Sequence, residues 1–295
     1  MAAILSGKEC AAAMHEEMKI QVEDLKVRHD ITPKLAVILI GDDPASVSYV
    51  RGKEKDCLHV GIEFILHKFD ADYSETDLLA LIATLNNDPS VHGFIVQLPL
   101  PAHINEEKVL YAIDPEKDVD GFHPVNIGRM MIGAQCFLPA TPHGIQQLLV
   151  RNKIRIEGQH VVIVGRSNIV GKPLAMMLIQ KKQHANATVT LCHTRTQNMA
   201  EITRTADILV AAVGRAHTIT ADMVKKNAVV IDVGVNRIDD PTKKRGYRLI
   251  GDVDFDTICE IASAITPVPG GVGPMTRTML LFNTLQAARN NAGLT

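Results

Sequence analysis

Tryptophan is absent from these 295 residues, which hold only four tyrosines and seven phenylalanines. So thin an aromatic complement argues against a surface on which nucleic-acid bases stack. A charge excess of one sign is missing too. The 31 Lys and Arg nearly balance 33 Asp and Glu, leaving a net −2 and no basic field to draw in a polyanion. No C-x-x-C pair occurs, and Cys10, Cys57, Cys136, Cys192 and Cys259 are scattered and odd in number. That pattern reads as reduced thiols in a cytoplasmic protein, not as a disulfide framework. No apolar run approaches the roughly 20 residues of a membrane span. The opening MAAILSGKEC has no basic stretch followed by a long apolar core, so no secretory leader is expected.

Several catalytic and metal patterns fail as well. The acidic run Asp114 to Gly121 resembles a calcium loop, but the position needing a bidentate glutamate is Ile127. His15-Glu16 has no second histidine at zinc-site spacing, and Ser167 does not sit in a G-x-S-x-G elbow. Neither a metal centre nor a nucleophilic triad is expected.

What remains is a 46% apolar chain long enough for two domains. Ser6-Gly-Lys-Glu9 is a capping box, and Met14, Met18, Val22 and Leu25 mark one face of the helix it opens. Strands are expected at 34–40, 64–68 and 93–98, with helices at 46–60, 74–87 and 106–113 between and after them. Strands alternating with helices imply a parallel sheet covered on both faces. Residues 114–141 carry no clear period and read as an irregular crossover. A second alternation follows: helix to about Asn152, strand 160–164, helix 170–184, and strands 187–191, 207–211 and 228–233. A last helix spans 275–290. The expected fold is therefore α/β with two domains. Residues 1–140, joined by 275–295, form an N-terminal α/β substrate domain to which the C-terminal helix returns; residues 141–274 form a Rossmann-type nucleotide domain with a parallel sheet.

The second domain carries the clearer signal. VVIVGRSNIVGKP (161–173) sets a glycine turn between a buried strand and a helix, where backbone can approach a pyrophosphate beside a helix N-terminus. Its spacing is G-x-S-x-x-x-G, and an ordinary tight βα turn is the plainer reading. No Asp or Glu lies between Gly158 and Ala200, while Arg166, Lys172, Lys181, Lys182 and Arg195 do. An NAD site places an acid after the second strand for the ribose 2′-hydroxyl; here that strand ends in Cys192-His-Thr-Arg-Thr196. Arg166, Thr194 and Arg195 suit a 2′-phosphate, so the cofactor is expected to be NADP. Lys181 and Lys182 read as solvated helix-end charges.

In the first domain, Tyr49 and Lys53 share a helical face, a spacing that alone more often means a surface lysine beside a half-buried tyrosine than an acid/base with a stacking partner. Gln97 ends an apolar strand, where α/β sheets present ligand groups; a plain polar strand end reads the same way. Rival classes at this point are a shikimate-type or amino-acid dehydrogenase, and an NADP-binding sensor without turnover.

Seven motifs together resemble one family. They are YVRGK (49–53), GFIVQLPLP (93–101), KDVDGFHPVNIGR (117–129), GRSNIVGKP (165–173), IDVGVN (231–236), GDVDF (251–255) and TPVPGGVGPMTRTML (266–280). The chain is similar to the bifunctional methylenetetrahydrofolate dehydrogenase/methenyltetrahydrofolate cyclohydrolases. It departs from their pattern at Ala140, where a cysteine is common. The resemblance implies tetrahydrofolate derivatives as substrates and a homodimer through the nucleotide domain. It implies Lys53 as general acid/base, Gln97 as the group holding its amine, Tyr49 as a stacking partner and Asp120 on the amino-pyrimidine edge. Val96, Leu98, Pro269, Gly270, Gly271, Val272 and Gly273 would complete the folate site. Gly165, Arg166, Ser167, Thr194, Arg195 and Val235 would contact NADP. Hydride passes from the N5,N10-methylene bridge to the nicotinamide, and water then adds at the same carbon, in a cleft expected between the two halves.

Overall fold

A computed structural model describes residues 1–243 and 246–294. Along the chain run β1 (Ala3–Ile4), α1 (Gly7–His29), β2 (Lys34–Ile40), α2 (Pro44–Val60), β3 (Glu63–Phe69), α3 (Glu75–Asn87), β4 (Gly93–Val96), α4 (Glu106–Ala112) and α5 (Pro124–Met131). Then come α6 (Ala140–Arg151), β5 (His160–Val164), α7 (Gly171–Leu178), β6 (Thr188–Cys192), α8 (Met199–Thr203), β7 (Ile208–Ala211), β8 (Val229–Asp232), β9 (Asn236–Asp239), β10 (Tyr247–Ile250), α9 (Phe255–Ile258), β11 (Ala264–Ile265) and α10 (Val272–Asn291). Among the described residues no helix is long and apolar enough to cross a membrane.

Contacts divide the chain into two compact units. One comprises residues 12–140 and the chain from Arg277 onward; the other comprises Met1–Ala11 and Thr141–Thr276. The first is built on a parallel three-stranded sheet in the order β3-β2-β4. Its central strand β2 is buried from Leu35 to Ile40, so its sequence, LAVILI, has no polar alternation. Leu78, Ile82 and Leu85 of α3 pack with Ile38, Phe94 and Val109. Ser74 caps α3 by accepting the Asp77 N–H at 3.1 Å, as its sequence leads one to expect.

The second unit holds a parallel six-stranded sheet in the order β6-β5-β7-β8-β11-β1. The chain leaves β5 towards β6 and returns on the other side to β7, so the order reverses between β5 and β7. Such a switch point opens a crevice at the C-terminal ends of the strands, where doubly wound sheets bind nucleotides.

Three expectations need correction, and one hairpin went unread. Residues 1–11 were expected with 12–140 but lie in the six-strand unit, because Ala3 and Ile4 pair with Ala264 and Ile265. A two-residue strand carries too little period to be read. The crossover 114–141 contains α5, hidden because its first turn is set by His123, whose side chain accepts the Val125 N–H, and by Pro124. The helix expected over 170–184 stops at Leu178, where the Ala187 N–H donates to the Leu178 carbonyl and turns the chain back. The antiparallel β9–β10 hairpin escaped because its residues are only half-buried or exposed, with no apolar run to mark them.

Candidate active site

Helix α2 turns Ser46, Val50, Lys53, Cys57 and Val60 inward, at helical spacing. Lys53 is the charged member of that stripe and is only 6% exposed. Its Nζ donates to Gln97 Oε1 at 2.9 Å, and Gln97 Nε2 donates to the Leu98 carbonyl at 2.7 Å. The amide orientation is thus fixed at both ends: oxygen towards the amine, nitrogen towards the backbone. Gln97 follows directly on β4, and its own N–H donates to the Ile38 carbonyl of β2. Burial pushes the Lys53 ammonium below its usual range, Arg277 adds to that, and the negative charge of Asp120 opposes it. Burial in turn raises Asp120, which Lys53 pulls back down. The two groups therefore share an electrostatic field, as an acid and a base at one site would. Tyr49, one turn before Lys53, is 37% exposed.

Asp120 owes its place to a polar scaffold. Residues 117–119 run beside β4 in parallel, Phe94 bridging to Asp118. Gly93 permits this approach, since a side chain there would meet Val119. The parallel register carries Asp120 to the same end of the sheet as Gln97. Asp118 lies beneath, accepting the His123 N–H at 2.7 Å and Asn126 Nδ2 at 2.9 Å. Burial lifts its carboxyl to about 6 despite those donors. Asn283 of α10 donates to the carbonyls of both Val119 and Leu138, at 2.8 and 2.9 Å. The ion pair Arg277–Asp56, Nε to Oδ2 at 2.6 Å, fixes α10 against α2 one turn beyond Lys53. Asp118, Asn283 and the Arg277–Asp56 pair went unnoticed in the sequence. The signals for Asp118 and Arg277 were the doubled acid in KDVDG and the lone cation in PMTRTML, both inside motifs already singled out, whereas Asn283 lies outside every motif. A separate cavity of about 430 Å³, bounded by Glu116, Arg129, Gln135, Phe137 and Phe282 among others, contains none of the predicted site residues.

Val96 is buried in β4 and Leu98 is exposed, its carbonyl engaged by Gln97 and by Ser46 Oγ. The remaining predicted folate residues, Pro269 to Gly273, lie in the six-strand unit, in the turn from β11 into α10. There the Lys8 N–H donates to the Gly270 carbonyl at 3.1 Å, and a side chain on Gly7 would overlap the Gly271 carbonyl.

The predicted cofactor residues gather at one edge of the six-stranded sheet. Val164 and Cys192 are register partners on β5 and β6, so Arg166 and Thr194 each follow two residues past a paired strand end. Arg166, Ser167, Thr194 and Arg195 are all exposed. Gly165 has φ +132°, and a Cβ there would fall on the Ala212 carbonyl, while one on Gly171 would fall on the Gly165 carbonyl. Ser167 Oγ accepts the Val170 N–H at 3.1 Å, so its hydroxyl closes the turn before α7. Val235, just past β8, is 51% exposed. Two cations, a glycine turn with no room for side chains and a helix N-terminus suit a phosphorylated dinucleotide. Among the described residues no cluster of three or more His, Cys, Asp or Glu could hold a metal ion.

Residues 5–120 match the profile of the tetrahydrofolate dehydrogenase/cyclohydrolase catalytic domain, and residues 139–292 match that family's NAD(P)-binding domain. The chain belongs to the tetrahydrofolate dehydrogenase/cyclohydrolase family. A bifunctional protein FolD of Dehalococcoides mccartyi is 59% identical over 292 residues, 99% of this chain and 98% of that relative. Another, from Prosthecochloris aestuarii, is 55% identical and covers 96% of this chain and 97% of its own. Among solved structures, the bifunctional FolD dehydrogenase/cyclohydrolase of Campylobacter jejuni superposes with TM-score 0.92 at 46% identity, covering 98% of this chain and 99% of that one. A Trypanosoma brucei family member, solved with NADP cofactor and inhibitor, superposes at TM-score 0.93 and 37% identity, over 99% of this chain and 98% of that one. Members of the family thus share both halves of this chain, from the Lys53 helix to the glycine turn at 165.

Proposed function

We propose that Lys53 is the acid/base of an enzyme that oxidises 5,10-methylenetetrahydrofolate with NADP and hydrolyses the resulting 5,10-methenyl compound to 10-formyltetrahydrofolate. The observation that carries this is the buried Lys53 amine held by Gln97 at 2.9 Å, in a chain of this family. NADP supplies the hydride acceptor for the first step. In the second, water adds to the methenyl carbon, and Lys53, once deprotonated, takes the proton that water loses. The hydroxyl of the adduct then gives its remaining proton to solvent as the C=O forms and the bond from that carbon to N5 breaks, and N5 takes the proton that Lys53 holds. One carbon is acted on twice, so one site serves both reactions. A lysine with an ordinary pKa would stay protonated at neutral pH and could not act as base; its burial lowers that barrier. In this reading Gln97 aims the amine, Asp120 takes the amino-pyrimidine edge, and Tyr49 lies on the pterin face. Val96, Leu98 and Pro269 to Gly273 line the remainder. Arg166, Thr194 and Arg195 receive the 2′-phosphate, with Gly165, Ser167 and Val235 along the dinucleotide. Among the described residues none of the five cysteines is joined in a disulfide, which supports a place in the reducing cytoplasm. A homodimer through the six-strand unit belongs to the same reading.

The test is a paired assay with methylenetetrahydrofolate, one arm with NADP and one with NAD, and a third arm following loss of the methenyl chromophore without nucleotide. Turnover with NADP and in the third arm is expected; turnover only with a hydroxy acid or an amino acid would refute the reading. In the same assay Arg195→Ala should raise KM for NADP about tenfold, the size of one lost charge-assisted contact, and leave that for NAD unchanged.

A further inference from the structure

Of the seven motifs, GDVDF has no role in the chemistry above and IDVGVN has only Val235, yet the two meet in one buried structure. Asp232 and Asp252 are 2% and 0% exposed. Asp232 Oδ1 accepts the N–H groups of Gly234 and Asp252, at 3.1 and 2.9 Å, and its Oδ2 accepts that of Val253 at 3.1 Å. The Asp252 backbone is thereby pinned against the end of β8. Its own carboxylate then reaches further. Oδ2 accepts the N–H groups of Val213 and Gly214, at 2.6 and 2.9 Å, and Oδ1 accepts Asn236 Nδ2 at 2.9 Å. One side chain thus ties the loop after β7 to Asn236, the first residue of β9, where the loop after β8 ends. Both motif glycines are explained by it: a Cβ on Gly234 would overlap the Asp252 carboxylate, and one on Gly251 would overlap that of Asp232.

These loops sit where a nucleotide needs them. The sheet order reverses between β5 and β7, and the predicted 2′-phosphate residues stand at the far side of that point, after β5 and β6. A dinucleotide laid across the crevice with its adenosine end over β6 has its other half over β7 and β8. The nicotinamide end therefore meets the backbone at 213–214, held by the Asp252 carboxylate, and at 234–235, held between Asp232 on the Gly234 N–H and Asp252 on Asn236. Loops at strand ends are ordinarily mobile; three charge-assisted bonds from one buried group hold these in a single arrangement.

We propose that Asp252, with Asp232 beneath it, is a positioning residue that sets the nicotinamide half of the dinucleotide site and leaves the adenosine half alone. It touches no reacting atom; it acts through the loops it holds. The inference rests on the NADP reading above and adds a division of labour within it.

The experiment compares binding of two ligands by calorimetry in the full-length chain: NADP, and 2′-phospho-ADP-ribose, which keeps the phosphates and lacks the nicotinamide. In Asp252→Asn an NH₂ group replaces one carboxylate oxygen and faces a donor. The Kd for NADP should rise by at least about tenfold, while that for 2′-phospho-ADP-ribose changes less than about twofold. General loosening of the unit would weaken both ligands alike, and that outcome overturns the proposal, as does no change in either. Asn236→Ala removes only the side-chain link to the second loop and should show the same split at smaller size; it decides the matter if Asp252→Asn does not fold. Failure of the wild-type chain to bind NADP, or to hydrolyse methenyltetrahydrofolate, would count against the functional reading and not against this division within it.

Discussion

Lys53→Met is expected to slow methenyltetrahydrofolate hydrolysis by about 10²- to 10⁴-fold, the range a positioned acid/base contributes. Stability should move little, and the reason lies in opposing effects. The methionine matches the lysine stem in length and keeps the inward stripe of α2 filled. Removing the amine strands Gln97 Oε1, at a cost of about 1 kcal/mol. It also removes a buried ammonium whose pKa burial has lowered. A lowered pKa means that the unfolded chain binds the proton more tightly than the folded one. Lysine at this position therefore stabilises the fold fully only above its ordinary pKa of 10.5, and that stability is lost as pH falls through the lower folded value. At neutral pH the wild type carries this penalty and the methionine variant does not. The melting temperature of Lys53→Met should stay within about 4 °C of the wild type or rise above it. The wild-type hydrolysis rate should climb with pH as the amine deprotonates, and the residual rate of the variant should lack that limb. A variant that melts early and loses activity would show only a packing role, and one that stays fully active would take Lys53 out of the chemistry.

Not every part of this site could be read before the fold was seen. Helical spacing left Tyr49 and Lys53, and a strand end left Gln97, open to plain structural readings, and the resemblance of the motifs is what named them as a site. The resemblance also paired Gln97 with the Lys53 amine; no local pattern could, because the two are 44 residues apart and meet only when α2 packs on the sheet. The bounds of β5 were legible because its residues after His160 are all buried, and a buried parallel strand prints an unbroken apolar run. The scaffold of Asp120 left no such trace. Asp118, Asn126 and Asn283 hold it by hydrogen bonds to backbone, and bonds of this kind impose no hydrophobic period. The same holds for Asp232 and Asp252, whose carboxylates replace apolar packing in the loops after β7 and β8. The expectation of NADP over NAD rests on charge instead, and charge is written directly in the sequence between 158 and 200. The N-terminal strand failed on length alone, since Ala3 and Ile4 join the sheet only through Ala264 and Ile265. Apolar patterning thus reports the sheets, whereas the polar frame that aims the functional groups must be seen folded.

Gly165→Val is the second large effect expected, and it separates backbone crowding from side-chain packing. At φ +132° a side chain is strained whatever room it has, for roughly 1–3 kcal/mol, and a β-branched one most of all. Room is lacking too, because the new Cβ would fall on the Ala212 carbonyl at the end of β7. Forcing atoms into a filled site adds roughly 1–3 kcal/mol. Against a total stability of about 5–15 kcal/mol, the sum should lower the melting temperature by roughly 5–20 °C. NADP affinity should fall more than about tenfold, since the turn that carries Arg166 and Ser167 can relieve the overlap only by moving off the sheet. A second change identifies the cause. Ala212→Gly removes the Ala212 methyl group, which would lie 3.3 Å from the new Cβ, but leaves the carbonyl in place. The double variant should therefore remain as defective as Gly165→Val in both melting and NADP binding. Recovery of either property would place the crowding in the Ala212 side chain and leave the glycine explained by packing alone; its absence means that the turn at 165 is closed by the main chain just past β7, the strand across the switch point.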